Sequence, residues 1–354
     1  MPRITVLIPC FNGAKYMAPV ISSIRNQTYT DFNVILINDG STDESSQTFS
    51  RFAGGDRRFS IVDIPKNRGI VNALNTGLES SDSELIARLD VDDIAHPLRF
   101  ERQLRAFRDQ PNLGVVGSAL TVINQVGEKR GVVCFPTLHQ AISIGLLEGR
   151  FVIAHPAVTM RRDIVARLNG YDSSAEHAED LDLWLRLLDS GCRFRNLLSQ
   201  LTYFRVHGNN DTIVNSELQQ ARKIRVLCRA YVKRQNNGLE SCSSASVESQ
   251  FSTLQKLRRE GKGLGTVFEE VTSIINGRKW NLLNCFYFHH FIFTEIKRAT
   301  LSSVTVLSAV RYLPKLLFLH GVFRYISYFL RYVLPVQLRA SFLNRFFVSF
   351  LNRD

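Results

Sequence analysis

Four short apolar runs open the chain: Ile4–Ile8, Phe32–Ile37, Phe59–Ile64 and Leu85–Leu89. Each stops at a polar, turn-forming cluster: Pro9–Asn12, Asp39–Ser41, Lys66–Gly69 and Asp90–Asp93. Segments with helical character lie between them, among them Lys15 to Gln27 and Ile70 to Leu78. Short β-branched runs alternating with helices predict an α/β fold whose strands run mostly parallel. Ligands of such sheets gather beyond the carboxyl ends of the strands, so the four clusters are expected to share one edge.

The fourth cluster carries the strongest chemistry. In Ala87-Arg88-Leu89-Asp90-Val91-Asp92-Asp93 a buried-strand pattern runs straight into three carboxylates. Carboxylates packed at a strand end repel one another and lose hydration, a cost that a cation between them relieves. Hard oxygen donors at this density suit Mg²⁺ or Mn²⁺, especially beside a phosphate. A solvated acidic turn that caps the helix starting near Pro97 is the plainer alternative.

Length and charge set outer bounds. The 354 residues suffice for one large domain or two ordinary ones. The net charge of +12 points to an anionic partner, whether nucleic acid, a membrane surface or a phosphorylated substrate. Six scattered cysteines without C-x-x-C spacing predict neither a zinc site nor a disulfide framework, and a reducing compartment is expected. No secretory leader is expected, because Ile4–Ile8 reads as the first strand of the fold. No uncharged apolar stretch reaches the ~18 residues of a membrane span. Neither G-x-G-x-x-G after the first strand nor G-x-x-x-x-G-K-[ST] occurs, which argues against dehydrogenases and P-loop enzymes.

Further along, a helix is expected from Pro97 to Asp109, a strand at Gly114–Gly117, and a hairpin over Thr121 to Phe135 that turns near Gly127. Leu181, Trp184, Leu185 and Leu188 recur at helical spacing and define the apolar face of a helix. Glu179 and Asp180 fall in its first turn. Acids are favoured there by the helix dipole, and that alone accounts for them. Asp182, two positions after Asp180, is expected to point away from it.

Taken together, these segments resemble a family 2 glycosyltransferase of the GT-A type over roughly residues 2 to 210. The resemblance rests on Pro9-Cys10-Phe11-Asn12, Gln27-Thr28-Tyr29, Asn38-Asp39-Gly40-Ser41-Thr42-Asp43, Asn67-x-Gly69 and Asn75-Thr76-Gly77. It continues through Ala87 to Asp93, Pro97-x-Arg99-Phe100-x-x-Gln103, and Glu179-Asp180 before a Trp-containing helix. The implied fold is a mostly parallel sheet flanked by helices, with a helical C-terminal extension. The implied donor-binding set is Pro9, Phe11, Asn12, Asp39, Asn67, Gly69, Arg88, Asp90 and Arg205. Asp92, Asp90 and His207 would hold the divalent metal, and Asp180 would be the general base that a weakly nucleophilic acceptor hydroxyl needs. One base without a covalent nucleophile implies inversion at the anomeric carbon. His155 and Glu179 fall on the acceptor side, with a structural role for His155 equally open. Two positions depart from the family pattern: Asn38 where an acid is common, and Phe11 where a Tyr is common.

The last third changes character. Ser216 to Gln235 is a basic helix, and Gly238 to Ser249 a Ser-rich linker. Residues 281–354 carry nine Lys or Arg against Glu295 and Asp354, interleaved with aromatics. That pattern suits an anionic membrane surface better than a span. A soluble helical subdomain is the alternative, and nucleic-acid binding is not expected, as no recognised module appears. The division expected is residues 1–215, with a nucleotide-binding half (1–110) and an acceptor half (111–215), followed by 216–354. Overall the sequence predicts a glycosyltransferase that moves a sugar from a nucleotide-sugar, UDP-linked by preference, to a lipid-linked saccharide in surface-polysaccharide synthesis. Its expected place is the cytoplasmic face of the plasma membrane. A nucleotide-sugar nucleotidyltransferase and a non-catalytic membrane scaffold are the competing readings.

Overall fold

The computed structural model describes residues 3–147, 149–208, 210 and 214–235. The chain divides into two compact units, Met1–Glu248 and Ser249–Asp354, and every described residue belongs to the first. The basic, aromatic stretch 281–354 and the Ser-rich linker therefore lie outside the described residues.

The strands are β1 (Ile4–Cys10), β2 (Phe32–Asp39), β3 (Phe59–Ile64), β4 (Leu85–Arg88), β5 (Ile94–Ala95), β6 (Leu113–Ile123), β7 (Lys129–Val133), β8 (Thr159–Arg161) and β9 (Arg193–Arg205). The helices are α1 (Met17–Arg25), α2 (Ser45–Ala53), α3 (Ile70–Glu79), α4 (Arg99–Asp109), α5 (His139–Leu147), α6 (Arg162–Arg167), α7 (Glu179–Asp189) and α8 (Ser216–Gln235). One sheet runs β3-β2-β1-β4-β8-β6-β9-β5, and β7 pairs with β6. Its first four strands are parallel, as the alternating pattern predicts. The remainder is mixed. Three-residue β8 runs antiparallel between β4 and β6, and β9 runs parallel to β6. The expected hairpin is present, with Gly127 at φ +93° in the β6–β7 turn.

Strand β1 is fully buried and runs through Pro9 to Cys10, beyond the expected stop at Ile8. Pro9 is tolerated because it sits close to the strand end, opposite Ile37. The expected helix over Lys15 to Gln27 divides into a 3₁₀ turn (Ala14–Tyr16) and α1. The core gathers Val6, Ile8, Leu36, Ala87 and Leu89 from the sheet with Ile21, Ile24, Phe100 and Phe107 from α1 and α4.

Buried polar side chains brace this core where the chain reverses. Arg99 is wholly buried at the start of α4. It donates to the carbonyls of Arg88 (2.6 Å), Pro156 (2.9 Å) and Val158 (3.1 Å), and to Gln103 Oε1 (3.3 Å). Burial pulls its pKa down to about 9, partly offset by Asp93, so it stays charged at neutral pH. Gln103 continues the brace to the carbonyls of Val116 and Ala157. Gln27 joins α1 to the His96 carbonyl and the Phe100 amide. These contacts tie the end of β4 to β6 and to the turn before β8. Replacing Arg99 with Met would leave three buried carbonyls without this donor. Urea denaturation of R99M is expected to show a loss of about 3 kcal/mol or more, well above that of an ordinary surface change.

Candidate active site

The polar clusters after β1, β2, β3 and β4 meet along the carboxyl edge of the sheet, and the first two are stitched together. Asn12 has φ +53°, and its Oδ1 accepts from the Thr42 amide (2.8 Å). The Asn12 amide donates to Ser41 Oγ (2.9 Å), and Gly13 N donates to Ser45 Oγ (2.9 Å). Phe11 stands 49% exposed beside this stitching, and Pro9 is buried beneath it. Asp39, buried at the end of β2, accepts the amides of Arg68 and Gly69, both at 2.9 Å. Asn67 Oδ1 shares the Gly69 amide at 3.0 Å. Asn38 donates to Asp63 (2.7 Å) and accepts from the Ser41 amide, so its side chain ties the loop after β2 to strand β3.

After β4, oxygens of Asp90, Asp92 and Asp93 lie within 4.8 Å of one another. Each acid has a different partner. Asp90 ion-pairs with the buried Arg88. Asp92 Oδ2 meets His207 Nε2 at 2.8 Å. Asp93 Oδ1 accepts the Arg205 amide at 2.8 Å, and its Oδ2 is buried without a hydrogen-bond partner. Burial, reinforced by Asp90 and Asp92, pushes the Asp93 carboxyl well above the usual range, and burial together with Asp90 raises Asp92. Crowded, partly desolvated carboxylate oxygens beside an imidazole form a donor set that fits a hard divalent cation, which would offset this repulsion.

Arg205, one of the implied donor-binding residues, donates from its guanidinium to the carbonyls of Asp92 (2.8 Å), Asn124 (3.2 Å) and Gln125 (3.0 Å), and lies 5.6 Å from the Tyr16 ring centre. It pins the acidic turn to the β6–β7 hairpin. His207 stacks on Tyr16, with ring centroids 5.4 Å apart and planes at 17°.

Beneath the turn lies a buried polar group. His155 Nε2 is 2.8 Å from Tyr171 Oη, and the imidazole packs edge-on against Trp184 of α7 at 5.7 Å. Burial and then Arg88 hold the His155 pKa well below normal, so it is neutral. Burial pushes the Tyr171 hydroxyl up; Arg88 opposes this, and the carboxylates of Glu179 and Asp180 add to it. Arg88 and the two acids that open α7 therefore lie within electrostatic reach of one tyrosine. Asp180 is half-buried and accepts the Leu181 amide (2.7 Å), while Asp182 is occupied by Arg186 at 2.7 Å.

Comparison with known proteins decides what this edge belongs to. Residues 5–168 match the model of Glycosyl transferase family 2. The O-antigen biosynthesis glycosyltransferase WbnJ of Escherichia coli is 32% identical over 213 residues, covering 59% of this chain and 82% of that protein. The chain belongs to family 2 of the glycosyltransferases. The amylovoran biosynthesis glycosyltransferase AmsE of Erwinia amylovora is 30% identical over 198 residues, covering 54% of this chain and 72% of that one. Two solved structures share the fold. S. aureus TarS 1-349 in complex with UDP-GlcNAc matches with a TM-score of 0.53 at 16% identity, over 81% of this chain and 79% of that one. The mannosyltransferase PcManGT from Pyrobaculum calidifontis, in complex with GDP-Man and Mn2+, matches at 0.50 and 14%, over 88% and 87%. The fold is therefore GT-A, and the chain is a glycosyltransferase rather than a nucleotidyltransferase or a scaffold.

The sequence did not single out Tyr16, Tyr171 or Asn210 in this glycosyltransferase. Asn210 Nδ2 reaches Asp92 Oδ2 at 3.5 Å and the Arg205 carbonyl at 3.1 Å. Tyr16 carries a readable signal, an aromatic beside Lys15 just after the first strand loop, whereas Asn210 is brought to Asp92 from 118 residues away. A raised carboxyl pKa means that the folded state binds more protons than the unfolded chain above about pH 4. Asp93 should therefore cost stability as pH climbs from about 4 through its folded pKa. With divalent metal removed, melting temperatures across that window should fall more steeply for wild type than for D93N, whose amide oxygen still accepts the Arg205 N–H. Parallel curves would remove Asp93 as the source.

Proposed function

We propose that this enzyme transfers a sugar, with inversion, from a nucleotide-sugar to a lipid-linked saccharide during surface-polysaccharide synthesis. The observation that carries the proposal is the three-carboxylate cluster at the end of β4, one acid of which ion-pairs with the buried Arg88, with Tyr171 in electrostatic reach of both that arginine and the acids that open α7. UDP-sugars are the donors favoured, in keeping with the UDP-GlcNAc bound by TarS. The names of WbnJ and AmsE support the polysaccharide pathway.

The proposed roles follow from position. The β1 and β2 exit loops, with Pro9, Phe11 and Asn12, form the floor for base and ribose. Asp39 holds the Asn67–Gly69 loop in place through two amides and completes that floor. Asp92 and Asp90, with His207, would hold Mg²⁺ or Mn²⁺, which when bound supplies Lewis-acid stabilisation of the departing nucleoside diphosphate. Arg88 orients Asp90. Arg205 fixes the turn and contributes positive potential at its rear. Asp180 takes the proton of the acceptor hydroxyl as the new bond forms, with Glu179 alongside it. His155, neutral and buried, supports α7 through Trp184. The basic aromatic residues 281–354 would bring the enzyme to an anionic membrane on its cytoplasmic face, where a lipid-linked acceptor resides. Among the described residues no helix is long and apolar enough to cross a membrane.

A screen of nucleotide-sugars with Mn²⁺ or Mg²⁺, read as nucleoside diphosphate release with and without acceptor lipid, tests this. Turnover is expected to require metal and to vanish with chelator. The D180N variant should lose at least roughly 100-fold in transfer while binding UDP within about twofold of wild type. Undiminished turnover in D180N would remove Asp180 from the base role. Failure of every sugar nucleotide to bind with metal present would overturn the proposal.

A further inference from the structure

The segment that leads into α7 is tied to α3, the helix after the third strand. The Asn75 side chain on α3 forms two hydrogen bonds with the backbone of Tyr171. Its Oδ1 accepts the Tyr171 amide and its Nδ2 donates to the Tyr171 carbonyl, both at 2.8 Å across 96 residues of chain. The turn leading into Tyr171 is built for this contact. Asn169 and Gly170 have φ +60° and +65°, and a Cβ on Gly170 would collide with Asn75 Oδ1. Two successive left-handed residues are costly outside glycine and persist only where the surroundings hold them.

From that clamp a buried chain of contacts runs to α7. Tyr171 Oη meets His155, and His155 packs on Trp184. Trp184 follows Asp180 by one turn on the same helix face. The loop between Tyr171 and α7 touches α3 a second time, where the Glu176 carboxylate sits against the Gly69 α-carbon. Thus α3 contacts this loop near its middle and at its amino end, while its amino end also presents the Gly69 amide to Asp39.

We propose that Asn75 is a positioning residue that sets the first turn of α7, and with it Asp180, against the donor edge. The proposal rests on Asp180 acting at the site described above. Asn75 itself touches no substrate. Leu at position 75 is near Asn in size and removes both hydrogen bonds. Asp keeps the acceptor for the Tyr171 amide and loses the donor.

The test uses the full-length chain and two measurements. The first is hydrogen exchange by mass spectrometry on peptides spanning residues 169–185, with the β1 and β4 peptides as internal controls. The second is transfer kinetics beside UDP affinity in Mn²⁺. In N75L, exchange should rise at least tenfold at Tyr171 and in the first turn of α7 and stay unchanged in β1 and β4. The kcat should fall at least tenfold with UDP affinity within twofold of wild type, and N75D should lie between. Exchange that is unaltered over residues 169–185 would overturn the proposal, and this arm stands even if no donor is turned over. A fall in melting temperature with unchanged kcat would make the clamp a plain structural stitch. Equal losses of UDP affinity and kcat would place the effect in the donor floor. Either result also overturns it.

Discussion

Three carboxylates at the end of one buried strand are the constraint from which the rest of this edge follows. Left alone, buried acids of like charge would protonate or push apart. Each is held by a separate device: Asp90 by the Arg88 guanidinium, Asp92 by the His207 imidazole, and Asp93 by the Arg205 amide. Arg99 holds the carbonyl of Arg88 itself and so fixes where the turn begins. Each acid thus has its own partner, and the three together form a donor set that a divalent cation would fit.

The same economy explains why the family is legible in the sequence. Several motif residues that carry the likeness are braces. Gln27, Arg99 and Gln103 are buried and spend their polar atoms on carbonyls and amides that the sheet leaves open. Asn38 spends its amide on Asp63 and the Ser41 backbone. Side chains with several directed hydrogen bonds in a close-packed interior tolerate few replacements, so such residues mark the fold. They say less about which sugar is moved.

The four parallel strands and the hairpin could be read because their apolar runs are short, β-branched and bounded by turn residues. Strands β8 and β9 could not. β8 has three residues, and its place is set by filling the gap between β4 and β6. β9 has thirteen, but Asn196 and Thr202 are among its buried positions and Leu198 is exposed, so polarity does not alternate with burial. Its register against β6 also shifts between Ser118 and Ala119, which breaks any period of two. The segment after that strand brings to Asp92 both His207, which the family likeness singles out, and Asn210, which no local pattern marks.

The sequence by itself determined the α/β order, the edge where ligands gather, the acid turn, the acids of the later helix and the family. All of these are local: a run of residue types specifies a strand, a turn or a helix start wherever the chain goes next. Only the tertiary structure decided which partner each acid has, that the Arg205 guanidinium meets backbone carbonyls, that His155 is buried, neutral and packed on Trp184, and that Asn75 ties α3 to Tyr171. Those facts depend on distances between residues up to 118 positions apart. Such distances are set by how helices and strands pack, and residue order does not carry them.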